Sequence, residues 1–176
     1  MFFKKKNNNV KEIYQNIVKI SRSKSFYIDF DLDDSFETRF DLIIFHAFII
    51  FYFFKKNYSN RSEISQGLFD YMFNDFENNL REMGFGDIAV NKKMKNFIKA
   101  FYGRLAQYSK SIDVMQNNGD KSLLEQTILN NIYKGKLNNS KNIEIFVTYM
   151  KNNIEYFLNN SEKENLKNNF KFLKFN

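Results

Sequence analysis

The chain has 176 residues, 43% hydrophobic and 18% aromatic, which excludes a disordered chain and gives enough length for one core. With no cysteine it can form no disulfide, thiolate metal site or thiol nucleophile, and with no proline nothing forces a helix to break. The net charge of +7 has two readings: an anionic partner such as nucleic acid or a lipid surface, or the Asn, Lys, Phe, Ile and Tyr excess that an AT-rich genome produces.

Residues 1–9 read as a basic N-terminal arm carrying Lys4, Lys5 and Lys6. No apolar run follows these lysines, so the arm does not read as a signal peptide. Val10, Ile13, Tyr14, Ile17 and Val18 have the spacing of an amphipathic helix. Phe26, Ile28, Phe30 and Leu32 alternate with Tyr27, Asp29 and Asp31, which predicts an extended segment lying across the helices. Asp34 or Ser35 can cap the next helix, which carries the run Leu42–Phe54. That run is shorter than the ~20 residues needed to span a bilayer, and His46 interrupts it, so it is expected to be a core helix.

Ser59 or Asn60 can cap a third helix reaching about Met83, with Leu68, Phe69, Met72, Phe73, Phe76 and Leu80 on its apolar face. Gly84 falls where a left-handed residue closes a helix. Asn91 can begin the fourth, whose stripe is Met94, Phe97, Ile98, Phe101, Leu105, Tyr108 and Ile112, and Asn118-Gly119-Asp120 ends it. Two more helices follow, through Leu124/Ile128/Ile132 and Ile143/Phe146/Val147/Met150/Ile154/Phe157. Residues 161–176 read as a basic tail that frays. The expected fold is all-α: a single-domain bundle of about six helices over residues 10–160.

No catalytic constellation emerges. His46 is the one histidine and lies in the most apolar run, where a buried neighbour other than Asp41 is its expected partner. Gly84-Phe-Gly86-Asp87 lacks the preceding strand and the third glycine or Gly-Lys-Ser/Thr of a nucleotide loop. It reads as a tight turn whose Asp87 bonds local amides. The carboxylates of residues 29–41 lack the spacing of a calcium loop. Asp70, Asp75, Glu77, Glu82 and Asp87 lack the histidines of a helical di-metal site, so pairing with Arg81 and Arg104 is the simpler expectation. No metal or cofactor is expected. On the fourth helix Lys92, Lys95, Lys99 and Lys110 share a face opposite the apolar stripe, with Gly103 and Ala106 among them. That face is either ordinary solvated surface or a contact for a ribosome, anionic headgroups or an acidic partner.

One set of residues is more specific than periodicity requires. Ser65-Gln-Gly-Leu-Phe-Asp-Tyr-Met-Phe-Asn-Asp75, Leu80-Arg-Glu-Met-Gly-Phe-Gly-Asp87 and Lys99-Ala-Phe-Tyr-Gly-Arg104 resemble the ubiquinol–cytochrome c chaperone family. Arg39-Phe-Asp41, His46, Ser21-Arg22 and Phe26-Tyr27 occur upstream in matching order, so the resemblance runs from Tyr14 to Tyr133. The chain departs from the family pattern at Thr38, usually Gly, and at Asn91, usually Pro. The resemblance implies a non-enzymatic assembly factor that holds newly made cytochrome b before it joins the ubiquinol–cytochrome c reductase complex. Mitochondrial members do so at the ribosomal tunnel exit with a small partner protein. Bacterial members are expected to act similarly at the cytoplasmic face of the inner membrane, and the short length and absent transit peptide make this chain look bacterial; no DNA partner is expected. The expected contact residues are Arg39, Asp41, Asp70, Asp75, Arg81, Glu82, Asp87 and Arg104, with the lysine face as a second surface.

Overall fold

A computed structural model describes residues 2–57, 62–136, 140–160 and 170–175. Among these the ordered elements are α1 (Phe2–Ser21), α2 (Ser25–Ile28), α3 (Phe36–Asn57), α4 (Ser62–Glu82), α5 (Asp87–Asn118), α6 (Ser122–Asn131) and α7 (Ser140–Asn159). The all-α expectation holds, with six long helices and one single turn.

α3 organises the bundle. Ser35 starts it: its Oγ accepts the Thr38 amide at 3.1 Å, satisfying a first-turn donor that has no partner within the helix. Lys55 and Lys56 close it at the end where the helix dipole favours cations. From Phe40 to Ile50 every side chain is buried. A helix buried all round needs cover on each side; α1, α5 and α7 supply it, while α4 bridges α1 to α5 and α6 bridges α5 to α7. Each fully buried Phe, Ile or Leu on these faces contributes roughly 1.5–3 kcal/mol. The run Leu42–Phe54 is therefore core, and no described helix is long and apolar enough to cross a membrane.

Two helix ends follow from glycine. Gly84 has φ +86°, and the amides of Gly84 and Phe85 bond back to the carbonyls of Arg81 (2.9 Å) and Leu80 (3.2 Å), a Schellman closure. Gly119 has φ +76° and closes α5 by bonding Met115 O. A third glycine serves packing: a Cβ on Gly67 would lie 3.2 Å from Val10 Cγ2, so its absence lets α4 approach α1 closely.

Four expectations need correction. Residues 26–32 do not form an extended segment. Ser25–Ile28 is a helical turn that puts Phe26 and Phe30 in the core and leaves Ile28 74% exposed. The Asp29 and Phe30 amides both bond Ser25 O, and a strand with no partner strand could not satisfy them. The backbone of residues 2–9 continues α1 rather than forming a separate arm. α5 begins at Asp87, not Asn91: Gly86, with extended backbone, precedes it, the acidic Asp87 suits a helix start, and Val90 is fully buried in its first turn. The tail does not fray over residues 170–175. Phe170 is 1% exposed, Phe172 and Phe175 pack against the core, and Asn153 Oδ1 accepts the Leu173 amide at 2.9 Å. Three aromatic rings in six residues bury enough apolar area to order a chain end. The expected caps Ser59 and Asn60 lie outside the described residues.

Candidate functional site

The signature residues fall into separate groups, and the first is an ionic cluster around a buried carboxylate. Asp41, 2% exposed on α3, faces two cations. Arg104 Nη2 of α5 lies 2.6 Å from its Oδ1, with the guanidinium over the Phe40 ring at 5.6 Å. That contact is an ion pair whose angles fall short of a directed hydrogen bond, and Arg104 Nε has no hydrogen-bond partner among the described residues. Lys134, just beyond α6, pairs with Asp41 Oδ2, and its Nζ donates to Asn131 O at 3.0 Å.

Lys134 adopts φ +55°, a left-handed conformation that costs a side-chain-bearing residue roughly 1–2 kcal/mol. Its ammonium contacts offset that cost. Burial pushes both Arg104 and Lys134 below their ordinary pKa values, with Glu37 opposing the shift at Lys134. One carboxylate thus ties α3, α5 and the α6–α7 connection together.

The second group lies at the α4–α5 corner. The Arg81 guanidinium bonds Glu77 Oε1 through Nη2 (2.8 Å) and Nε (3.2 Å), and pairs with Asp87 across the turn. Asp87 therefore holds an arginine rather than local amides. These hydrogen bonds raise the Arg81 pKa, those to Asp87 first and those to Glu77 second. Glu82 is exposed beside them, and the same corner exposes Met83 (57%) and Ile88 (89%).

The remaining residues do not join either group. Asp75 accepts the Tyr14 hydroxyl at 2.6 Å, fixing α1 on α4, and burial, then that bond, raise the Tyr14 pKa. Arg39 makes a two-pronged surface pair with Asp34 at 2.7 and 2.9 Å. Asp70 accepts Gln66 Nε2 at 2.7 Å on the exposed side of α4. Lys92, Lys95, Lys99 and Lys110 are all exposed on α5.

Sequence reasoning missed Lys134, Met83 and Ile88. Lys134 carries no pattern that marks it. Ile88 does, because it precedes Lys92 by four residues and Lys95 by seven, on the side away from the apolar stripe.

His46 is fully buried, with Nδ1 2.7 Å from Leu42 O and 3.0 Å from Ser21 Oγ. The Leu42 carbonyl requires Nδ1 to carry a proton, which leaves Nε2 without a hydrogen-bond partner among the edges of Phe172, Phe175, Tyr149 and Phe26. Burial pushes its pKa down to about 3. It is a core histidine, and its partner is not Asp41. Among the described residues no group of three or more His, Cys, Asp or Glu could hold a metal ion.

The fold and these groups define an all-helical protein that fastens its interior with one ionic cluster and turns a charged, partly apolar corner outward. The family model of the ubiquinol–cytochrome C chaperone matches residues 29–172, and the chain belongs to that family. The match extends well past Tyr133, through α7 and into the docked C-terminal segment. The fold is also that of the "Crystal structure of the Cbp3 homolog from Brucella abortus", with TM-score 0.82 and 24% identity, covering 98% of this chain and 92% of that one. No curated protein matches the chain. The two departures from the family pattern are accommodated: Thr38 lies in the first turn of α3 under Ser35, and Asn91 is exposed one turn into α5 rather than capping it.

Proposed function

We propose that this member of the chaperone family is a non-enzymatic assembly factor that holds newly made cytochrome b until it enters the ubiquinol–cytochrome c reductase complex. The observation that carries the reading is the family match across residues 29–172, most of the folded chain. The eight signature residues take different parts in it. Asp41, Asp75 and Arg104 fix the helices. Arg81, Glu82 and Asp87 form the recognition corner, with Arg39 and Asp70 on exposed faces around the same bundle. The protein works at the cytoplasmic face of the bacterial inner membrane, beside the ribosome or a small partner protein, and needs no cofactor.

Deleting the gene tests this reading. Assembled reductase complex falls while the cytochrome b transcript stays constant, measured by native gel and quantitative RNA analysis. Unchanged complex levels overturn the proposal.

A further inference from the structure

The exposed face of α5 is a single stripe with an unusual order. Ile88, Lys92, Lys95, Lys99, Tyr102, Ala106 and Lys110 recur at three- and four-residue steps over ~33 Å of helix. Every one of them is exposed. The four lysines have no ion-pair partner among the described residues, unlike Lys121 or Lys56, which pair with Glu144 and Asp113. From Arg81 to Lys110 the chain has seven cationic residues against two acidic ones, Glu82 and Asp87, and Asp87 is already held by Arg81. The segment therefore carries a net charge of +5. One end of the stripe is apolar: Ile88 is 89% and Met83 57% exposed, with half-buried Phe85 behind them under Lys93 (4.6 Å to its ring). Tyr102, 58% exposed, sits midway.

An aliphatic pair left in water at the tip of an unpaired lysine row is poorly suited to nucleic acid, which has no use for Ile88 and Met83. It suits an anionic bilayer. Lysines lie against the headgroups, aliphatic tips enter the acyl boundary, and a tyrosine sits at the interface. We infer that the Met83–Lys110 face docks this protein flat on an anionic membrane, with the α4–α5 corner entering first. The inference concerns a surface and a lipid, and stands whether or not cytochrome b is the client.

Flotation of the full chain with phosphatidylcholine vesicles, and with phosphatidylcholine–phosphatidylglycerol vesicles at two to one, tests it without any client. Binding is expected to the anionic vesicles at low salt and to be absent on neutral ones. The triple variant Lys92→Gln/Lys95→Gln/Lys99→Gln loses on the order of a hundredfold in partitioning, at about fivefold per lysine. The double variant Met83→Ser/Ile88→Ser loses about tenfold, set by the apolar area withdrawn from the bilayer. Both alter exposed side chains, so helix content and melting temperature stay at wild-type values and report an intact fold. No flotation of the wild type at low salt overturns the inference. So does a double variant that floats like the wild type while polyuridylate binds with the same lysine dependence, which would make the face a nucleic-acid surface.

Discussion

The family signature contains two sets of charges that obey opposite rules. Asp41 and Arg104 lie largely inside the bundle, where each has lost most of its water and depends on the other, and the half-exposed Lys134 reaches the same carboxylate from the surface. Arg81, Glu77 and Asp87 lie outside it, where water and salt screen whatever they gain from pairing. Both sets join arginine to carboxylate, yet only the inner one can hold helices in place. The comparison teaches that signature charges in one chain can be kept for different reasons: the inner for geometry, the outer for what it can meet.

The largest break in that contrast is expected at Asp41. Asp41→Asn leaves Arg104 and Lys134 facing each other without an anion, and should lower unfolding stability by about 3–5 kcal/mol in urea titration. A loss under about 1 kcal/mol would show that water reaches the cluster freely and that the inner set resembles the outer.

The next effect is pH dependence at His46, a fully buried polar group of α3. Its pKa is 6.5 in the unfolded chain and pushed down to about 3 in the fold, so between those values the unfolded chain binds the extra proton. The stability from the neutral ring is complete above pH 6.5 and is lost as pH falls toward 3, by no more than about 1.4 kcal/mol per pH unit. His46→Gln should flatten the stability profile in that window relative to wild type. Parallel profiles would mean that the ring titrates in the folded state.

The smallest stability effect belongs to Arg81. Arg81→Ala should leave the melting temperature unchanged, while co-purification of newly made cytochrome b with the chain declines. A melting temperature that drops like that of Asp41→Asn would place the corner among the structural charges and remove it from recognition.

The helices were legible because their apolar residues recur at three and four, and Gly84 and Gly119 mark their ends. The lysine face of α5 was legible for the same reason. Residues 26–32 were misread because Phe26 and Phe30 fit a helical turn as well as a strand, and only the missing partner strand decides between them. The start of α5 was misplaced because Asn91 caps well in general, whereas Gly86 with Asp87 does the work here. Asp41 and Arg104 were named together as contact residues, but nothing local marks Lys134 as the second cation. It reaches Asp41 through a left-handed backbone that no spacing rule predicts. The docking of residues 170–175 escaped because it depends on a groove beside α7 and on Asn153, far from any pattern within the tail.

The burial of α3 on every side also sets an order of events. During synthesis the run Leu42–Phe54 emerges before two of the helices that cover it, and α7 follows it by some ninety residues. Until then the chain presents the kind of uncovered apolar segment that promotes aggregation. A member of a chaperone family thus passes through an interval in which its own central helix needs shelter. The length of that interval is set by the sequence distance between α3 and α7.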